Sequence, residues 1–207
     1  MSAQPAFRLP PVPAAVSGCL PALFVMLASL IAASHATADP TPDAREFTVA
    51  NGSFSLAAPA DWQRVRPRSM IVETEFSVPP VGEDSQAGRM TVMGAGGSIE
   101  ANIDRWCGQF SQPDGSKTAD KTTTKKLRIA GCQVTLVDIT GTYKDMPGGP
   151  FAGGRAVDRP DYRMLAAIIE TEHAGNYFVK FYGPAATVGK SVAGFRTMVE
   201  GMVATGK

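Results

Sequence analysis

Gly94, Gly96 and Gly97 lead directly into an amphipathic stretch that begins at Ser98, an order by which many proteins cradle a phosphate at a helix N-terminus. A dinucleotide fingerprint needs a third glycine where Ile99 stands, and Glu100 puts a carboxylate in the first turn, where a phosphate would have to sit. Gly96 and Gly97 therefore read first as turn residues that supply φ > 0, and are kept as candidate ligand-binding residues. A second glycine pattern, GPAATVGKS at 183–191, enters a C-terminal helix as a P-loop does, with Asp138 of VTLVD in the place of a magnesium partner. It has five residues between its glycines where a P-loop has four, and the 16 residues after Ser191 are too few to complete a nucleotide-binding sheet.

Histidine chemistry is nearly absent. His35 belongs to an N-terminal leader, which leaves His173 beside Glu172 at a hairpin tip, so no three-histidine zinc site is available and His173 reads as a solvated turn residue. No serine lies in a G-x-S-x-G setting. Glu170 and Glu172 alternate along one strand and share a face, suited either to a hard cation or to a wet strand end. Asp158, Arg159 and Asp161 close the stretch 144–161, which holds four glycines between 148 and 154 and three prolines. A loop of that length is a candidate binding surface, and these three residues are its candidate ligand contacts. These residues give no catalytic constellation, no metal set and no cofactor motif, and the expectation is a protein that is not an enzyme.

The leader is residues 1–38. It carries one base, Arg8, and no acid, then the apolar run LPALFVMLASLIAA at 20–33 and small-residue cleavage sites ending at Ala36 or Ala38. This is the order of a secretory signal, and the apolar core is shorter than the roughly 20 residues of a spanning helix. A retained leader that anchors the protein to the envelope is the alternative. The lipoprotein-like VSGC at 16–19 precedes most of the apolar run instead of following it, and is set aside. Cutting before Asp39 leaves 169 of 207 residues, with 19 basic against 19 acidic side chains. Neutrality argues against a nucleic-acid partner and against simple electrostatic docking on anionic lipid, so no membrane contact is expected after cleavage. Once Cys19 leaves with the signal, Cys107 and Cys132 remain, either as a disulfide formed in an oxidising compartment or as two buried thiols.

The elements that must position these residues follow from periodicity. After a lead-in at 39–45, EFTVANGSFSL reads as a hairpin about Asn51-Gly52, with Trp62 beyond it as a core plug. SMIVETEFSVP and GRMTVMG form a second hairpin. Ile99, Ile103, Trp106 and Phe110 fall on one helix face, with Ser98 as N-cap, Gly108 inside the helix and PDG at 113–115 as the stop. Lys117, Lys121, Lys125 and Lys126 read as a solvated sheet edge before the long strand CQVTLVDITGTY. YRMLAAIIETE and NYFVKFYG form a third hairpin across HAG, and a helix after Pro184 carries the stripe Val188, Val192, Phe195, Val199 and Met202. The expected fold is α+β, a single domain over 46–207 in which an antiparallel sheet is flanked by two main helices.

With FSLAAPADWQRV, the SMIVETEFSVP/GRMTVMG pair and the closing NYFVKFYGPAATVGKSVAGFRTMV in that order, the chain resembles the Mog1/PsbP/DcrB-like group of α/β/α sandwiches. It also resembles exported bacterial proteins of unassigned role that share an NIDRW…QF helix, here at 102–110, and a YRMLAAIIET strand at 162–171. The resemblance implies a layered sandwich and a non-enzymatic accessory or binding role with a protein or small-molecule partner in the cell envelope, periplasmic or secreted. It carries no catalytic residues across. The rival reading is a small-ligand-binding domain or enzyme whose site lies between the loop 144–161 and the glycine turn 94–98.

Overall fold

The width of the apolar runs decides which strands lie at the centre of the sheet. In the computed structural model, which describes residues 45–146 and 155–206, β9 (Val157–Thr171) buries an unbroken run from Met164 to Ile169, and β10 (Gly175–Pro184) beside it buries Tyr177, Phe178 and Val179 in succession. A strand apolar on both faces needs a layer on each side. The chain meets that need with an eight-stranded antiparallel sheet ordered β3 (Gln63–Val65), β4 (Thr74–Val78), β5 (Gly88–Ala95), β10, β9, β8 (Cys132–Asp145) and β6 (Phe110–Ser111), with β7 (Thr123–Ile129) also on β8. The leader, its cleavage sites at Ala36 and Ala38, and residues 147–154 of the glycine-rich stretch lie outside the described residues.

On one face sit α1 (Ile99–Cys107) and the four-residue α2 (Thr118–Lys121). Trp106, Phe110, Val137, Ile139, Met164, Ile168 and Phe178 make the core beneath them. The other face is covered by α3 (Ala185–Lys190), α4 (Val192–Glu200) and a three-stranded sheet of β1 (Glu46–Val49), β2 (Phe54–Ala57) and β11 (Val203–Ala204). Its core includes Phe47, Leu56, Phe76, Met90, Val179, Phe181, Phe195 and Val199. Trp62 is the plug its position suggested, 4.9 Å between ring centroids from Phe181. The chain is thus an α+β layered sandwich. All three hairpins form as expected. The small second sheet was not foreseen: β11 is two residues long and pairs with β2 from far along the chain.

Several expectations need correction. The first helix ends at Cys107, with Gly108 as its C-cap, and Phe110 belongs to β6. Gly108 therefore costs the helix nothing internally, and its N–H closes on the Asp104 carbonyl. The C-terminal helix breaks at Ser191 into α3 and α4, although its apolar stripe still faces the core. Cys107 and Cys132 are free thiols rather than a disulfide. The reason is topological: Cys107 lies in the core under α1 and Cys132 in the core of the opposite face, so the sheet stands between them. The Cys107 sulfur instead meets the Thr122 hydroxyl at 3.3 Å, while burial pushes the Cys132 thiol pKa up. Among the described residues no helix is long and apolar enough to cross a membrane.

Candidate functional site

The glycine turn closes on itself. Ser98 caps α1 through its hydroxyl, which accepts from the Ala101 N–H at 3.1 Å. Buried Asn102 donates to the carbonyls of Gly96 (3.1 Å) and Ser98 (2.8 Å), and Asn176 donates to that of Gly97 at 3.2 Å. Gly97, at φ 90°, needs its missing side chain, whereas Gly96 has open space beside it. At the other end, Lys144 pairs with Asp158 and Asp145 with Val157, so β8 and β9 run on well into the stretch expected to be a loop. Arg159 binds Asp145 at 3.3 Å. Asp161, at φ 53°, is the extra residue of a β-bulge next to Pro160, between the pairs Gly141↔Tyr162 and Tyr143↔Arg159.

Register then separates the two halves of the rival site. Ala95 is level with Asn176, and Asn176 with Glu170, while Asp158 lies twelve residues back along the same strand. At roughly 3.3 Å per residue the two candidate groups stand about 40 Å apart. Gly96 and Gly97 do not meet Asp158, Arg159 and Asp161. The acid pair also dissolves, because β9 ends at Thr171 and Glu172 lies in the exposed turn with His173, 4.0 Å away. Among the described residues no group of three His, Cys, Asp or Glu could hold a metal ion.

The densest polar chemistry lies on the α1 face, where no sequence motif marked it. Glu75 of β4, only 1% exposed, accepts a fork from Arg89 of β5 with both contacts at 2.8 Å, and also the Arg68 N–H at 3.1 Å. Burial by itself would raise the Glu75 pKa, but these donors outweigh it and the carboxyl is held below its usual range. The same fork raises the Arg89 pKa. Arg89 passes the network to the Tyr182 hydroxyl at 2.8 Å. Tyr143 packs beside Tyr182, and burial raises the Tyr143 pKa, so the Tyr143 phenol stays neutral.

Lys180 of β10 points into this cluster. Its Nζ donates to Gln109 Oε1 at 2.7 Å and lies 5.2 and 5.8 Å from the ring centroids of Tyr182 and Tyr143. Desolvation, helped by the nearby charges of Arg105 and Arg89, brings its pKa down to about 7. The unfolded chain keeps the lysine proton up to the usual range near 10.5. Wild-type stability relative to Lys180→Met is therefore expected to rise with pH from about 7 toward 10.5, because the folded state loses its proton first. Urea unfolding of both proteins across that window tests this, and a constant difference would refute it. A lysine close to neutral is a reasonable nucleophile in general, yet this one is capped by an amide and closed in by two rings.

An open site exists on the opposite face. α4 is nine residues long, about 13 Å, and lies over β9 and the small sheet, which leaves a gap beside Thr123–Lys125 of β7 and Leu136–Asp138 of β8. A cleft of about 240 Å³ results, with Leu136, Leu165 and Phe195 as apolar surfaces and Thr123, Lys125, Asp138 and Arg196 around them. The cross-strand pairs Thr123↔Asp138 and Lys125↔Leu136 place these side chains on one face. Asp138 is already taken by the Arg163 fork at 2.9 and 2.6 Å, which raises the Arg163 pKa. Lys125 and Arg196 remain as cations on the rim. A wider depression of about 540 Å³ adjoins at Lys125 and reaches Arg128, Glu200 and Met202. The sequence does not mark this site: Lys125 reads as a solvated sheet edge, Arg196 belongs to no motif, and only the fold brings the two together.

No family model matches the sequence, and no curated protein matches it. Among solved structures the chain is similar to the solution structure of cyanobacterial PsbP (CyanoP) from Synechocystis sp. PCC 6803, at 10% identity over 81% of this chain and 97% of that one, with a TM-score of 0.47.

Proposed function

We propose that the protein is an exported, non-enzymatic binding protein of the cell envelope, and that its ligand seat is the cleft between α4 and the Thr123–Lys125 end of β7 with the facing part of β8. Export rests on the leader at 1–38, with cleavage near Ala36 or Ala38. A binding role rests on one observation: the cleft joins apolar surfaces to two rim cations while its one acid is neutralised from within. That chemistry suits a compact molecule, or the end of a partner chain, with an apolar body and an anionic terminus. The strongly perturbed groups elsewhere, Glu75, Arg89 and Lys180, each spend their hydrogen bonds on protein neighbours, which favours a binding role over catalysis.

The dye anilinonaphthalene sulfonate, an apolar anion, is a direct probe. Arg196→Glu and Lys125→Glu are each expected to weaken its fluorescence-detected binding by about tenfold, the scale of one charge-assisted contact. Lys126→Glu makes the same charge change on the other face of β7 and should leave binding unaltered. Equal binding by all three variants would overturn the assignment of the cleft.

A further inference from the structure

The connection between β3 and β4 puts apolar side chains where turns seldom carry them. The Val72 N–H donates to the Ser69 carbonyl at 3.1 Å, so Met70 and Ile71 are the two central residues of a β-turn. Those positions usually hold Gly, Pro, Asn, Asp or Ser. Here Met70 is 103% and Ile71 70% exposed. The turn is also held from below. Val72 is buried, the Glu73 N–H donates to the Val92 carbonyl at 2.9 Å, and the Arg68 N–H is fixed by buried Glu75. Two greasy side chains are thus presented to water on an anchored support.

Arg66 and Arg68 stand in the same connection, and Arg64 lies on β3, which leads into it. Arg64 leans on the Glu46 carbonyl at 2.9 Å, and Arg68, 79% exposed, approaches Glu75 at 3.4 Å. Arg66 is exposed and makes no hydrogen bond or ion pair among the described residues. Glu73 is the only acid exposed on this connection. We infer that this loop docks on an anionic phospholipid bilayer, with Met70 and Ile71 entering the boundary between headgroups and acyl chains and the arginines lying against lipid phosphate. A protein partner would be expected to meet a contiguous patch of several hundred Å², whereas this tip offers two projecting side chains with exposed arginines at 66 and 68 close by in sequence. A fluid bilayer accepts such a tip, and guanidinium matches phosphate in geometry and charge. The neutral mature chain spoke against electrostatic docking on lipid. Screening over about 10 Å makes the local cluster, not the net charge, the quantity that counts.

The test uses the full chain carrying Met70→Trp and vesicles whose acyl chains are brominated. The native indoles, Trp62 at 4% and Trp106 at 3% exposure, are shielded from the quencher, so the difference from wild type reports the tip alone. Quenching of the introduced indole is expected on phosphatidylglycerol and not on phosphatidylcholine, with affinity about fivefold weaker for each of Arg66→Gln and Arg68→Gln. Sedimentation with vesicles but no quenching would trace binding to the leader and overturn the inference. Equal quenching on both lipids, or capture of poly-glutamate by the loop without quenching on phosphatidylglycerol, would overturn it as well. The cleft plays no part in this readout.

Discussion

Glu75→Gln should lower the unfolding free energy by about 3 kcal/mol at neutral pH, because breaking a buried ion pair from one side leaves a charge without its counterpart. The low end of the usual range applies, since the Arg89 side chain is 26% exposed and water can reach it. Glutamine keeps the shape and one acceptor for the Arg68 N–H but cannot return the two-pronged bond to Arg89. The sign with pH follows from the lowered carboxyl pKa. The stability contributed by Glu75 is present above the ordinary glutamate range and is lost as pH falls through the depressed value. Urea unfolding at neutral and strongly acid pH should therefore show wild type and variant converging on the acid side. A variant within about 0.5 kcal/mol of wild type at neutral pH would mean that the cluster is ornamental. Because Glu75 also fixes the loop at Arg68, faster amide exchange over 66–73 should accompany the loss.

Trp106→Ala is expected to cost about 3–5 kcal/mol, the usual toll for removing a buried large aromatic. Trp106 is 3% exposed and meets Phe178 edge-on, with centroids 5.2 Å apart at 81°. α1 has nine residues, too few to persist in water without a packed face. Hydrogen exchange should show the amides of Ile99–Cys107 losing protection before those of β4 and β5, whose buried Phe76, Val78, Met90 and Val92 lie in the core of the other face. Uniform loss of protection across both faces would instead make the sandwich one cooperative unit.

Legibility varied with the range of the interaction that settles each feature. The three hairpins and the Ser98 cap are set by neighbours a few residues apart, and alternation or capping chemistry shows them in the sequence. The helix after Pro184 was visible as a stripe, but its break at Ser191 was not, because the same residues face the core on either side of the break. The two ends of the 144–161 stretch, which lie in β8 and β9, misled because glycine and proline mark loops in general. Here Pro160 fits beside a bulge in a strand whose partner, β8, supplies the pairing.

Local pattern alone determined the α+β class and the apolar faces of both main helices, since those depend on sequence period and not on partners. Only the three-dimensional packing decided that the cysteines stand on opposite sides of a sheet, that Gly96 and Asp158 lie about 40 Å apart along it, and that Lys125 and Arg196 border one cleft. Strand order and register fix those distances, and both arise from pairings between segments tens of residues apart, which no short window of sequence encodes.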